Sequence, residues 1–453
     1  MGTRDRSRAG EVTGTESAEP QYAAGVIEAR LGRGAQDVLE AAVVLEAWGG
    51  MRAGSALSLG SRVVPPKPPR WTPGRLSKEE SGRRDGILSE AIALIMAILA
   101  VASWAGPLSA RIGTAVLEQA ILIALPTTLA LQWAIRSRYL SRRGGLACLA
   151  QDRLALCILG LLGIEAPLVL LRSYGPLAGM FVTIWVGGTI LARRGWALPY
   201  GFLLVGAVIG MEAGLPAYPL MEGLTTVVLV AGVIAVRSNR ERSNAPAGRV
   251  GRAVGAGAIG GALGLLLVGD SSLGWGVHGA FPALALLPSV LGSFWGGYHL
   301  WKFYDAIPRG LQGVTLEQAN DPRLRGPSMG IFLGSLMRLL GTTVVLSGVV
   351  ILIAQWTSGT SRLSLFVGFG CVALVTMLVN LLESLAYVRW ALSAVVAGVA
   401  AELALSEFVL AHSPVPGTAL IAGATVGILV ALPPLLSLLL RPGRVLATSL
   451  WIQ

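Results

Sequence analysis

Charge is what this 453-residue sequence has least of: Asp, Glu, Lys and Arg together make up 13%, about half the share of a soluble domain. A water-facing surface for a chain of this length cannot be built from so few charges. Cysteine is almost absent, and the three present, Cys148, Cys157 and Cys371, are spaced for neither a disulfide framework nor a four-ligand zinc site. Histidine is equally rare: His278, His299 and His412 leave metal catalysis with hardly a nitrogen ligand. No Gly-rich loop carries the Lys and hydroxyl that cradle a phosphate, and no Ser-His-Asp or Cys-His set can be assembled. The expectation is therefore no enzyme, no metal and no cofactor. The first thirty residues hold no apolar run, so no secretory signal is expected.

What the sequence has in abundance is apolar residues, at 53% with a mean hydropathy of +0.66, and 59 glycines, about 13% against the usual ~7%. Runs of about 20 apolar residues are the length that crosses a bilayer as helix. They occur near 87–107, 112–134, 154–171, 176–192, 195–213, 216–236, 253–270, 277–301, 329–355, 363–387, 391–411 and 417–440. The expected fold is all-α: a polytopic membrane protein of about twelve transmembrane helices behind a basic N-terminal extension. The fourth to sixth runs are short and closely joined. The glycine run from Gly255 to Gly264 resembles a dinucleotide fingerprint but lies inside a span. Gly257 with Gly261, and Gly260 with Gly264, instead make small-xxx-small pairs that let helices approach closely.

Basic residues test this span count, because positively charged loops stay cytoplasmic. Nineteen Lys and Arg follow the even-numbered spans, among them Arg136, Arg138, Arg142, Arg143, Arg193, Arg237, Arg252, Lys302, Arg389 and Arg441. The alternate loops hold only Arg111, Arg172 and Arg362. Both termini are thus expected in the cytoplasm. The net charge of +11 reads as an orientation signal with attraction to the anionic bilayer surface, not as a nucleic-acid site.

Residues 1–86 form the extension. Residues 1–20 are polar and expected to be disordered; Tyr22 to Trp48 carries a helical pattern that Gly49-Gly50 stops; and Val64-Pro65-Pro66-Lys67-Pro68-Pro69 is a stiff linker. The segment is either a regulatory or dispensable extension or a docking module for a cytoplasmic partner.

Ionisable residues inside spans are informative, because a charge in hydrocarbon costs about 2.5–3.5 kcal/mol even on the lenient insertion scale. Arg338 in the ninth span and Glu402 near the middle of the eleventh are candidates for lining a transport cavity or forming a structural ion pair. Glu118, Glu165 and Glu407 in outer halves, and Glu383 at the inner end of the tenth span, are weaker candidates. Pro126, Pro167, Pro282, Pro288, Pro433 and Pro434 are expected to break helices, as in transporter bundles. The segment 302–328 has amphipathic character and is expected along the cytoplasmic interface.

Several short motifs resemble a family. Trp104 with Gly106-Pro107, the stretch from Leu125-Pro126 to Arg138, the aromatic segment Ser293-Phe294, Tyr298, Phe303-Tyr304, and the Tyr387–Arg389 turn are similar to the multidrug/oligosaccharidyl-lipid/polysaccharide flippase superfamily. Within it they resemble the Pel-type exopolysaccharide exporters (PelG-like proteins), over residues 87 to about 445. The long extension, and the lack of a short amphipathic motif before the first span, depart from that pattern. The resemblance implies two six-helix lobes, 87–252 and 253–453, and alternating access. It also implies export, across a bacterial inner membrane, of a polysaccharide made by a cytoplasmic glycosyltransferase, with other membrane subunits as partners. A lipid-linked oligosaccharide flippase or a drug-type permease is the alternative within transport. A membrane glycosyltransferase or polymerase would want acidic or His residues in an outer loop, where this chain has short, nearly uncharged ones; a non-transporting scaffold would need neither central charges nor broken helices.

Two outcomes follow. Single cysteines introduced as Ser243→Cys and Ser358→Cys should label from opposite sides of the membrane; labelling of both from one side would overturn the twelve-span topology. A chain truncated to begin near Arg75 should insert and stay monodisperse in detergent, and aggregation would show that the extension is part of the membrane fold.

Overall fold

The computed structural model describes residues 18–31, 38–64, 107–140, 175–237, 250–269, 325–358, 363–385, 387–408 and 417–440, with a few positions between. Every element among them is helical. Contacts between backbone positions divide the chain into two units, Met1–Ser81 and Gly82–Gln453.

The first unit contains α1 (Ala18–Leu31), α2 (Val38–Trp48) and α3 (Ala53–Val63). The pattern from Tyr22 to Trp48, read as one helical stretch, is thus two helices, and α3 was not anticipated because its Gly- and Ser-rich composition is a weak helix signal. Gly50 ends α2 with φ of 65°, the left-handed conformation that glycine adopts without penalty. The core is small and alanine-rich: Ala23, Ile27, Ala41, Ala42, Val44, Leu45, Ala56, Leu59 and Val64 are buried together. Gly60 lets α3 lie on α2, since a Cβ there would sit 3.1 Å from the Val38 carbonyl oxygen and 3.3 Å from the Ala41 Cβ. Outside this core, the Arg30 guanidinium lies 4.1 Å above the Trp48 ring, a cation–π contact.

The second unit contains α4 (Thr114–Ile135, continued by a π-helical turn Arg136–Leu140), α5 (Gly175–Arg193), α6 (Ala197–Glu212), α7 (Ala217–Arg237), α8 (Val250–Val268), α9 (Arg325–Ser358), α10 (Leu363–Ser384), α11 (Val388–Phe408) and α12 (Thr418–Leu440). All but α6 are long and apolar enough to cross a membrane, which makes eight candidate spans among the described residues. The chain is accordingly a multi-pass membrane protein. At 16 residues, α6 is roughly 24 Å long, short of the ~30 Å hydrocarbon core. The 34 residues of α9 reach roughly 51 Å and overrun it. The first expected span is described at only a few positions, the third and eighth lie outside the described residues, and so does 302–324 of the amphipathic segment.

Two hairpin turns explain why α5, α6 and α7 follow so closely. In the first, the Trp196 amide donates to the Leu191 carbonyl at 2.9 Å and Gly195 takes φ of 87°; in the second, the Leu215 amide donates to Gly210 at 3.0 Å and Gly214 takes φ of 89°. Both are Schellman caps, which close a helix end with the left-handed residue that only glycine supplies readily.

The prolines do not interrupt the described helices. Pro126 lies inside α4, and Pro433 and Pro434 inside α12, without a break; Pro167, Pro282 and Pro288 lie outside the described residues. At Pro126 the freed space has a use, because α8 lies across it. A Cβ on Gly264 would fall on the Pro126 Cα, one on Gly260 would fall on the Leu129 carbonyl and within 2.9 Å of the Trp133 ring, and one on Gly257 would stand 3.3 Å from the Ala130 oxygen. The expected small-xxx-small pairs therefore form a helix seam, and its partner is α4. As numbers rise along α8 they fall along α4, so the two are antiparallel. No hydrophobic drive separates helix from lipid, so this seam is held by close van der Waals packing.

The same contacts fix other directions. Gly255 meets Val388 and Gly269 meets Glu402, so α8 and α11 run parallel; Gly368 meets Leu420 and Gly427 meets Val375, so α10 and α12 run parallel. The Arg252 guanidinium lies 3.6 Å from Glu383, which puts the start of α8 beside the end of α10. Arg138, Arg252 and Arg389 thereby share one end of the bundle, the arginine-rich end.

Apolar side chains gather in two clusters. One draws on α4 to α7 around Trp104, Leu117, Phe181, Ile184, Leu204 and Val228, and the other on α8 to α12 around Ile259, Phe366, Phe369, Val375, Val395 and Leu435. Trp133 of α4 packs against the second cluster, at the seam.

Gly264→Ala tests the seam. Overpacking there should cost about 1–3 kcal/mol and lower the thermal unfolding midpoint in detergent, whereas Gly223→Ala, with nothing within 4 Å of its Cβ, should leave it unchanged or raise it, as Ala is the better helix former by up to about 1 kcal/mol. Equal stability of the two variants would show that α8 does not need its glycine face.

Candidate functional site

Of the charged residues expected inside spans and described by the structure, Glu402 is the one it buries, with 0% exposure. It sits fourteen positions after Val388, roughly 21 Å along α11, nearer the end opposite the arginines than the middle expected from sequence, because α11 begins earlier than the apolar run suggested. Three glycines shape its surroundings. A Cβ on Gly423 of α12 would stand 2.9 Å from the Glu402 Cβ, and one on Gly269, just after α8, would stand 2.8 Å from Glu402 Oε2. Gly398 and Gly423 are matched to each other: a Cβ on either would stand 2.7–2.8 Å from the other's carbonyl oxygen. Leu266 of α8, also fully buried, approaches both glycines.

This geometry brings a carboxyl group to the meeting point of three helices at a depth where ionisation is costly. None of the three glycines has room for a side chain, so the carboxyl fills space they leave open. The sequence signal for these glycines was present in Gly398-x-x-x-Glu402, but the partner glycines come from other segments.

The remaining candidates do not join it. Arg338 is exposed on α9, on a stripe it shares with Met337, Val345, Val349, Leu352 and Trp356, the kind of face that meets acyl chains. Ser347 lies against Gly370 of α10, close to the level of Gly423 by the parallel register of α10 and α12. Arg338 is nine positions before Ser347, roughly 13 Å nearer the arginine-rich end. Long cationic side chains at such depth reach the headgroups by extending along the surface. Glu118, half-buried, lies early in α4, within about a turn of the level of Gly269 by the register of the α4–α8 seam. Glu407 is exposed near the end of α11. Glu165 lies outside the described residues. Glu383 is brought together with Arg252 as described, both at the bundle rim, where a partly exposed pair is worth little.

A second polar cluster was not singled out from sequence. Asp152 accepts from Arg138 Nη2 at 2.8 Å and from the Tyr139 hydroxyl, and so ties the π-helical end of α4 to the chain beyond its arginine loop. Asp152 is the one acidic residue among the arginines between 136 and 153, which is the signal that marks it. Among the described residues no group of His, Cys, Asp and Glu could hold a metal ion.

Compared with family models, with curated proteins and with solved structures, the chain matches none.

Proposed function

We propose that this chain is a transporter that exports or flips a polysaccharide or glycolipid across a bacterial inner membrane by alternating access. The observation that carries this reading is Glu402: a fully buried carboxyl at a three-helix, glycine-lined junction of a multi-pass bundle. An ionisable residue buried inside a span is by default a functional-site candidate. Supporting it are two separate apolar clusters either side of the α4–α8 seam, the arrangement expected of two six-helix lobes totalling about twelve spans. The alignment of arginines at one end supports termini in the cytoplasm, where a glycosyltransferase would deliver its product. In this reading Glu402 exchanges a proton as the junction opens and closes, and Arg338 anchors α9 at the cytoplasmic headgroup level as that helix moves.

The test compares export with abundance. Glu402→Gln keeps the shape and removes the charge; extracellular polysaccharide should fall by about tenfold or more, as for loss of a proton-transferring group, while the amount of protein in the membrane stays near wild type. Arg338→Ala should also lower export at normal abundance. Normal export by both variants would remove these residues from the mechanism, and loss of both proteins from the membrane would make the charges structural.

A further inference from the structure

Several side-chain polar atoms among the described residues are buried without a hydrogen-bond partner, and the Asn380 amide is the one among them with two such donor hydrogens. Asn380 of α10 is 7% exposed, and its side-chain nitrogen is fully buried with no hydrogen-bond partner among the described residues. An amide left so inside a membrane bundle is costly, and native folds rarely keep one without an occupant. Its place in the fold indicates what the occupant is. Thr376, Asn380 and Glu383 follow one another at four and three positions, so they share a face of α10. Thr376 is likewise buried, with its hydroxyl turned back onto the Val372 carbonyl. Glu383 lies a turn nearer the arginine-rich end, paired at 3.6 Å with Arg252 of α8. Both members of that pair keep some exposure, 43% for the Arg252 side chain and 18% for that of Glu383, so this face is exposed at the rim and the buried amide lies about a turn below it.

We propose that Arg252, Glu383 and Asn380 line a polar inlet at the arginine-rich end of the bundle, one that takes a neutral hydroxyl-bearing group, a sugar or polyol segment. The assignment of a sugar rests on the transport reading above; the inlet itself does not. The chemistry fits a hydroxyl: it accepts from the Asn380 amide through its oxygen and donates to the Glu383 carboxylate. The Glu383 carboxylate on this face repels a second anion, which argues against a phosphate. A hydroxyl oxygen could also be that of water, and the test separates the two.

Cys148, Cys157 and Cys371 are first replaced by Ala. In the protein reconstituted in nanodiscs, Asn380→Cys should react with a small, charged, membrane-impermeant methanethiosulfonate, and Val379→Cys, buried at 0% and one position round the helix, should not. Separately, Asn380→Leu should keep or raise the thermal unfolding midpoint, because it removes an unpaired amide, and should lower extracellular polysaccharide about five- to tenfold, the weight of one lost hydrogen bond. An Asn380→Cys thiol as unreactive as that of Val379→Cys overturns the inlet. A lowered midpoint for Asn380→Leu overturns it too, since the amide would then support the fold. A reactive Asn380→Cys with normal export by Asn380→Leu means the inlet holds only water, and the sugar assignment falls. A reactive Asn380→Cys in a chain whose parent exports no polysaccharide sinks the transport reading and leaves the inlet standing.

Discussion

The membrane unit depends on the seam between α4 and α8, where side chains are removed so that backbones touch. Lipid tails are as apolar as leucine, so burying leucine between helices gains little in a bilayer. What is left is dispersion at close range, and dispersion falls off within an ångström. Gly257, Gly260, Gly261 and Gly264 give α8 a flat face, and that face lands on Pro126, Leu129, Ala130 and Trp133 of α4. The position of Pro126 is part of the fit. A proline costs a helix one hydrogen bond, and in α4 it comes where α8 passes closest. The helix continues through it, so the residue that looked like a breaker is a packing surface.

From this seam the rest of the register can be read outward. Because α4 and α8 are antiparallel, Arg136 and Arg138 at the end of α4 and Arg252 at the start of α8 fall at the same end. α8 then sets α11 parallel to itself through Gly255 and Gly269, and α11 meets α12 through Gly398 and Gly423. Each step is a glycine against a backbone or a single large side chain. The charge pattern along the sequence and the helix directions in the structure are independent observations that agree, the first reflecting how loops are retained during insertion, the second how helices pack.

Spans and seam glycines were legible in the sequence because both are local signals. An apolar run of twenty residues announces α10 or α12, and a four-residue glycine spacing announces a helix face. The partner of that face was not legible: nothing within Val250–Val268 points to Pro126 more than a hundred positions earlier. Glu402 was legible as a charge in an apolar run, but its surroundings are assembled from Gly269, Gly398 and Gly423 on three segments. Asn380 escaped notice because a neutral amide carries no alarm in a hydropathy scan; only its burial and lack of a partner mark it. In the extension, Tyr22 to Trp48 carried the right period, yet alanine-rich helices have faint faces, so one pattern concealed two helices and the third went unseen.

Glycine beside a buried carboxyl serves a further purpose than space. Where two helices interlock through branched side chains, sliding one past the other requires rotamers to change together, and packed interiors resist that. The contact between α11 and α12 beside Glu402 is different: Gly398 and Gly423 meet backbone to backbone, with the Leu266 side chain approaching both. Small shear displacements of packed helices are a common way for closed and open states to interconvert, and a smooth junction lowers the cost of such a step without loosening the leucine-rich remainder of α11 and α12. A carboxyl group placed on that junction experiences the displacement directly, because a shift of one or two ångströms changes whether it touches backbone or water. In the proposed mechanism protonation and sliding are linked: whichever state favours the neutral acid is favoured by it in return.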